Sequence, residues 1–211
     1  MTTTINASTT GGGGLIESAD ASGILALQTN GITAVTIDAS QKVTFAQPIQ
    51  GGSITSSTAV ASTSGTSIDF TGIPSWAKRI TVMFNGVSTS GTSPVQIQLG
   101  NGTIVTTGYV SGSSGAAVAT PNLTNGTTST TGFVIFATIA TDSVYGVMTI
   151  QNISANTWIA SHSVYVATGQ QVCSNGAGFL SLSGTLDRLR ITTVNGTDTF
   201  DAGSINIMYE G

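Results

Sequence analysis

The stretch "GILALQTNGITAVTIDASQKVTF", residues 23–45, contains three short segments in which apolar and polar residues alternate. A period of two places the apolar side chains on one face of a β-strand. The segments are separated by the turn signals "TNG" (29–31) and "DASQ" (38–41). Asn-Gly favours a tight hairpin turn because both residues tolerate positive φ. The stretch therefore predicts a β-meander of three short strands.

The apolar residues of this meander come in pairs at a spacing of two. Three strands of this length bury too little surface to offset the conformational entropy of the chain. We therefore expect their apolar side chains to face other copies of the chain or another protein. A homotrimer is attractive because ring closure covers the apolar faces and the strand edges together. The predicted interface residues are Leu25, Leu27, Val35, Ile37, Val43 and Phe45.

Residues 54–211 are numerous enough for one substantial core. Their apolar residues alternate in segment after segment, and no long window shows a helical period. This pattern predicts an antiparallel β-sandwich, with jelly-roll-like topology as one common solution. The strand order stays open at this point. The clearest segments are "SIDF" (67–70), "KRITVMFNG" (78–86), "SPVQIQLGNGT" (93–103), "VYGVMTIQNIS" (144–154), "TWIASHSVYVAT" (157–168), "LDRLRITTV" (186–194) and "GSINIMYEG" (203–211).

Asn-Gly pairs recur along the body of the chain and predict turns between its strands. The five pairs begin at Asn85, Asn101, Asn125, Asn175 and Asn195.

The chain is predicted to have two parts. Residues 1–52 form an N-terminal attachment and trimerisation segment, with a polar leader that ends in the glycine run 11–14. Residues 54–211 form the β-sandwich head domain. The whole chain is therefore predicted to be all-β: a short meander followed by a sandwich, assembled as a trimer.

Charge is scarce in this sequence. Charged residues make up 7% of it, with five Lys and Arg against nine Asp and Glu, for a net charge of −4. Five dispersed cations do not form the basic surface that nucleic acid requires. The most apolar run, "GFVIFATIA" (132–140), falls short of the roughly 20 residues of a spanning helix. We therefore expect no nucleic-acid partner and no membrane insertion. Hydroxyls and glycine in place of charge suit a particle surface.

Catalytic material is sparse, and the chain is not expected to be an enzyme. His162 has no G-x-S-x-G serine to act on, and it is interpreted as a hydrogen-bonded strand histidine. Cys173 has no local base and is interpreted as a buried, inert cysteine. Asp187, Asp198 and Asp201 match no metal-binding or glycosidase spacing, and Asp198 and Asp201 lie in a turn. Neither a metal nor a cofactor is expected.

Surface recognition is the more plausible activity. Tyr109 and Trp158 are candidates for stacking on sugar rings, although tryptophans are often core or interface anchors, and the sequence leaves both Trp158 and Trp76 open in this respect. Arg188 and Arg190 alternate with apolar residues and share one strand face. They are candidates for binding acidic glycans, with a solvated face or an intersubunit ion pair as the alternatives.

Three stretches resemble known proteins. "LALQTNGITAVTIDASQKVTF" (25–45) resembles a motif common in tailed-phage fibres and other virion structural proteins. Residues 64–100 and "ITTVNGTDTFDAGSINIMYEG" (191–211) resemble the β-sandwich domain that follows it. The resemblance implies a tail or head fibre on the virion, attached to other virion proteins by its N-terminus, whose sandwich binds a host-surface glycan. Two alternatives remain open: an architectural capsid decoration or tail-junction protein without a host ligand, and a polysaccharide depolymerase.

Overall fold

In the computed structural model, the described residues are 22–47, 54–117, 124–137, 139–167 and 171–211. Every helix or strand assigned within these ranges is a β-strand, so the all-β prediction is confirmed. This part of the chain has no helix with the length and hydrophobicity needed to cross a membrane.

The chain divides into two compact units, Met1–Ile49 and Gln50–Gly211. The strands of the first unit are β1 (Leu25–Thr29), β2 (Ile32–Ile37) and β3 (Val43–Phe45). Those of the second are β4 (Thr55–Ser56), β5 (Val60–Ala61), β6 (Ser67–Thr71), β7 (Arg79–Thr89), β8 (Val95–Asn101), β9 (Thr103–Ile104), β10 (Val110–Ala117), β11 (Thr124–Ser129), β12 (Phe133–Val134), β13 (Ser143–Ser154), β14 (Thr157–Ala167), β15 (Val172–Ser181), β16 (Arg188–Thr193) and β17 (Phe200–Glu210).

The first unit is an antiparallel sheet in the order β1-β2-β3, which confirms the predicted meander. Asn30 and Gly31 make the turn between the paired residues Thr29 and Ile32, with φ values of 51° and 75°. Positive φ at both central residues is the mark of a type I′ turn, whose twist matches that of the flanking strands. The turn sets the pairs Thr29–Ile32 and Gln28–Thr33. A bulge between Leu27 and Gln28 then shifts the register, so that Leu27 pairs with Val35 and Leu25 pairs with Ile37.

The second unit contains two antiparallel sheets. The larger sheet has the order β11-β10-β15-β14-β13-β7-β17-β4, and β5 also pairs with β17. The smaller sheet has the order β12-β8-β16-β6, and β9 also pairs with β8. Strands β13, β14 and β15 are consecutive neighbours, whereas β7 pairs with the distant strands β13 and β17. The chain therefore crosses between the sheets several times.

The two sheets share one apolar core, so the second unit is a β-sandwich. Along each long strand, side chains alternate between the core and the surface, as in β14, where Trp158, Ala160 and Val164 are buried while Ile159 and Ser161 are exposed. The larger sheet contributes Ile80, Val82, Met148, Ile150, Ile205 and Ile207, and the smaller sheet contributes Ile68, Phe70, Ile97, Leu99, Leu189 and Ile191.

Strand β8 departs from the predicted alternation because it is buried on both faces. Its apolar residues face the core as expected, but Gln96 and Gln98 on the other face are 2% and 6% exposed. The chain around Ser129 and Thr131 covers them: both hydroxyls donate to Gln96 Oε1, and the Gln98 side-chain amide donates to the Thr131 carbonyl at 2.9 Å. A period of two does not reveal a strand that a distant segment covers.

Three of the five predicted Asn-Gly turns are wrong. The pairs at Asn85, Asn125 and Asn175 lie inside β7, β11 and β15. The pair at Asn85 marks a bulge instead, since Gly86 has a φ of 66° and the β7–β13 register shifts beside it. The pair at Asn101 ends β8 and turns the chain into β9, and the pair at Asn195 lies between β16 and β17.

Candidate functional site

The first unit carries the six predicted interface residues in two rows across one face of its sheet. One row is Leu25, Ile37 and Val43, and the other is Leu27, Val35 and Phe45. We call this surface the association face. No residue from 22 to 47 is buried, and Val43 and Phe45 are 50% and 47% exposed. A three-stranded sheet with one uncovered apolar face has no core of its own within these residues.

The opposite face of the same sheet differs in character. Its central row is Ala26, Thr36 and Thr44, paired in register across the three strands. Small and hydroxylated side chains tolerate water, whereas the leucine, isoleucine and phenylalanine side chains of the association face gain free energy when they leave it. The sheet is therefore amphipathic, with one face suited to contact with another surface.

The turn between β2 and β3 is closed by Asp38. Its Oδ1 accepts hydrogen bonds from the backbone amides of Ser40 at 2.9 Å and Lys42 at 3.0 Å, and Gln41 adopts a φ of 66°. A carboxylate that bonds to amides a few residues ahead is typical of Asp in turns. This turn holds β3 in register with β2, and so completes both rows of the association face.

Tyr109, predicted as a glycan-stacking residue, lies in the core with 1% of its surface exposed, so that prediction is wrong. Its hydroxyl accepts a hydrogen bond from the Leu99 amide at 2.6 Å and donates to the Val105 carbonyl at 3.1 Å. Its ring packs edge-on against Phe133, with centroids 5.1 Å apart. Burial raises the pKa of the hydroxyl. The residue ties the connection after β9 to β8.

Trp158 is likewise a core residue, 4% exposed, and its ring is not available for stacking on a sugar. Its indole Nε1 is buried without a hydrogen-bond partner among the described residues. Trp76, the other tryptophan, is half-buried and packs against Tyr209, with ring centroids 5.7 Å apart. The core alternative left open by the sequence holds for Trp158.

Arg188 and Arg190 lie on the outer face of the smaller sheet, as predicted. Arg190 forms a bidentate pair with Asp69, with both N–O distances 2.7 Å, and Arg188 forms one with Asp187, at 2.8 and 3.0 Å. The hydrogen bond from Arg188 lowers the pKa of Asp187, and the hydrogen bond to Asp69 raises the pKa of Arg190. Both guanidinium groups are thus neutralised within the chain.

Two adjoining cavities of about 300 and 360 Å³ lie over this outer face, and Thr106 and Arg190 line both. We call them together the polar cleft. Its floor contains a row of directly paired residues, Asp69, Arg190 and Gln98, from β6, β16 and β8. Gly100 keeps the neighbouring row open, since a side chain there would collide with Arg188. The cleft is lined chiefly by hydroxyl, amide and paired ionic groups.

His162 faces the core, where its Nε2 lies 3.0 Å from Ser113 Oγ. Ser113 Oγ also lies 3.0 Å from Ser174 Oγ and accepts a hydrogen bond from the Phe136 amide. The imidazole and Ser113 are 7% and 6% exposed, and burial lowers the pKa of His162 to about 4. These bonds join β10, β14 and β15 to the segment after β12, which is the role expected of a hydrogen-bonded strand histidine.

Cys173 is exposed, which contradicts the prediction of a buried cysteine. The alternation along β15 turns Val172 and Ser174 inward and Cys173 outward. On the same outer face, Tyr165 of β14 lies between two paired residues. It pairs with Cys173 of β15 on one side and with Tyr145 of β13 on the other. Both tyrosines are partly exposed.

A shallow depression of about 950 Å³ lies beside these residues, over β10, β11 and β15. It arises because these strands place Gly, Ser, Ala, Thr and Asn where their neighbours carry larger side chains. Its lining residues are Gly112, Ser113, Ser114, Gly126, Thr127, Thr128, Asn175, Gly176 and Ala177. It gathers no charged, aromatic or nucleophilic cluster and adds nothing to the two surfaces above.

Within the described residues, no group of three or more His, Cys, Asp or Glu side chains is placed to hold a metal ion. No protein-family model, curated protein or solved structure matches this chain.

Proposed function

We propose that this chain is a bacteriophage virion structural protein that forms a homotrimeric fibre. Residues 1–52 attach it to other virion proteins and hold the trimer, and residues 54–211 present the sandwich at the particle surface to bind the host. The observation that carries the proposal is the association face, where six apolar side chains lie in two complete rows without a core beneath them.

Association gives these side chains the cover that their own unit does not provide. Full burial of a side chain of this kind stabilises by about 1.5–3 kcal/mol, so covering the exposed parts of Leu25, Leu27, Val43 and Phe45 contributes about 1 kcal/mol for each. A threefold ring uses the same face of every copy and leaves no open strand edge to recruit further chains. Three sandwiches on one stem would also bind a surface multivalently, so weak single sites are sufficient.

The rest of the chain supports a place on a particle surface. Only 7% of its residues are charged, and hydroxylated residues and glycine dominate the remaining polar composition. The resemblance of residues 25–45 to phage fibre motifs supports the same assignment.

Val35→Asp tests the trimer, because it places a charge at the middle of one row of the association face. We expect the wild-type chain to have a native mass near 64 kDa, three times the 21.2 kDa of one chain, and the variant to have the mass of one chain. Native mass spectrometry gives both values.

Thr36→Asp is the matched control, since it adds the same charge one residue along, on the opposite face. It should keep the mass of a trimer. A wild-type chain that is monomeric at micromolar concentration would contradict the proposal. Electron microscopy of particles decorated with an antibody against the sandwich checks the virion location, and an undecorated particle would argue against it.

The second candidate is a purely architectural protein, a capsid decoration or tail-junction component without a host ligand. The burial of Tyr109 and Trp158 favours it, because neither ring is available to a sugar. The two functions differ in whether the sandwich binds a saccharide at all, which makes the polar cleft the discriminating feature.

A further inference from the structure

The polar cleft lies where the outer face of the smaller sheet is partly roofed. Gln96 and Gln98 hold the chain around Thr131 over β8, through the hydrogen bonds described above. Thr106, in the connection between β9 and β10, lines both cavities. The result is a concave surface of fixed shape, whose two cavities are each of the size of a small ligand site.

Several polar groups of the cleft have hydrogen-bonding capacity to spare. Gln98 is 6% exposed, and while its amide nitrogen donates to Thr131, its Oε1 accepts no hydrogen bond from any described residue. Arg190 uses two of its five N–H donors on Asp69, which leaves three. Gln98 Oε1 is not among the fully buried atoms that lack a partner, which within the described residues comprise Trp158 Nε1 alone, so this acceptor is open to the cleft and a ligand can donate a hydrogen bond to it.

The charges of the cleft cancel. Asp69 neutralises Arg190 and Asp187 neutralises Arg188, each in a bidentate pair, and the remaining lining residues are uncharged. An acidic ligand would have to compete with a carboxylate for either guanidinium, and a phosphate would find no unpaired cation. A neutral ligand with many hydroxyl groups meets acceptors, donors and hydroxyls without any such competition.

The cleft also offers small apolar surfaces beside its polar groups. Ile104 lines the cavity over β9, and Val194, 41% exposed, lines the other. The C–H faces of a sugar ring need apolar contacts of this modest size, whereas an amphipathic helix needs a continuous apolar groove.

We propose that the polar cleft binds a neutral saccharide, with Gln98 Oε1, Thr106 and the free N–H groups of Arg190 as its hydrogen-bonding partners. The inference rests on the proposed host-binding function and replaces the acidic glycan predicted from Arg188 and Arg190 with an uncharged one. The ring faces pack on Ile104 or Val194, and no exposed aromatic residue of the larger sheet takes part.

Saturation-transfer difference NMR on the full chain tests the proposal, since it detects weak binding whatever the oligomeric state. The probes are maltotriose, chitotriose, mannotriose, lactose and 3′-sialyllactose, the last pair differing by one acidic sugar. We expect transfer to at least one neutral probe with a millimolar Kd. If lactose is that probe, sialylation should not strengthen its binding. Absence of transfer to every neutral probe, or binding of 3′-sialyllactose alone, would overturn the proposal.

Two variants with matched controls locate the binding. Thr106→Val removes one cleft hydroxyl and should raise the Kd by about 3- to 10-fold. Thr107→Val changes the next residue, which is also exposed but lines neither cavity, and should leave the Kd unchanged. Arg190→Gln should weaken binding, whereas Arg79→Gln, which breaks the exposed pair with Glu210 on the larger sheet, should not. Equal effects within either pair would contradict the assignment.

The mass of the same sample separates the two proposals. If a monomeric chain binds a saccharide, the proposal of a binding cleft stands and the proposal of a trimer is wrong. If a trimeric chain binds no neutral probe, the proposal of a binding cleft is wrong and the architectural function is favoured.

Discussion

At the scale of single residues, the body of the protein relies on hydrogen bonds more than on charge. Three of the four cationic side chains of the second unit are paired with carboxylates, at Arg79, Arg188 and Arg190. Exposed pairs of this kind contribute about 0–1 kcal/mol each. Buried groups such as Ser113 and His162 carry more of the stability, because an unpartnered polar group in the core would cost about 1–3 kcal/mol.

His162 should make the stability of the sandwich depend on pH. Burial lowers its pKa from 6.5 to about 4, so between these values the unfolded chain binds a proton that the folded chain excludes. The contribution is complete above pH 6.5 and is lost as the pH falls to 4, by about 3 kcal/mol in total. Urea unfolding of the wild type and of His162→Gln at pH 7 and pH 4.5 measures it. The variant should show the smaller loss of stability, and equal losses in both proteins would exclude His162 as the cause.

At the scale of strands, the close approach of β10, β14 and β15 depends on glycine. Gly176 lies directly over the imidazole of His162 and close to the Gly112 carbonyl, so a methyl group there would collide with both. Gly112, on the neighbouring strand, faces outward and would place a methyl group no closer than 3.8 Å to its surroundings. Two glycines in adjacent strands thus have different roles.

Gly176→Ala should therefore destabilise the sandwich by about 1–3 kcal/mol, the usual cost of overpacking. Gly112→Ala should change the free energy of unfolding by less than about 0.5 kcal/mol, as for most surface substitutions. Chemical denaturation of both variants measures the difference. Equal destabilisation would mean that the imidazole moves aside freely.

Strands and their faces could largely be predicted from the sequence, because burial of one face imposes a period of two. The meander and its type I′ turn were predictable, since Asn30 and Gly31 are a local signal, but the bulge between Leu27 and Gln28, which brings the apolar residues of β1 opposite those of β2, was not. The wrong Asn-Gly turns show the limit of such signals. In the pair that begins at Asn175, the glycine is Gly176, which is needed because it packs against His162 of the neighbouring strand. The burial of Tyr109 was also beyond reach, because the polar partners of its hydroxyl only meet in the fold.

The polar cleft was predictable only in part. Alternation placed Arg188 and Arg190 on one face, but their neutralisation by Asp69 and Asp187 depends on strand order. Gln98 gave no signal at all, since an outward glutamine on a strand is ordinarily solvated. Its burial follows from the segment around Thr131, more than 30 residues away in the chain.

At the scale of the whole molecule, the two units should differ in their ability to fold alone. The second unit contains the apolar core, whereas no residue described in the first is buried. We expect residues 54–211 alone to unfold cooperatively as a folded monomer, and a peptide of residues 15–52 to be unfolded at low concentration. Circular dichroism with analytical ultracentrifugation checks both. A monomeric peptide with a stable sheet would contradict the role of the association face.

The position of Cys173 has a practical consequence for such measurements. The sequence contains one cysteine, and its side chain is exposed on the outer face of the larger sheet, whereas the polar cleft lies over the smaller sheet. A maleimide dye would therefore mark each copy once, at a known point, on the sheet that does not carry the polar cleft. Stepwise photobleaching of single labelled particles would then count the copies directly, one step for each chain.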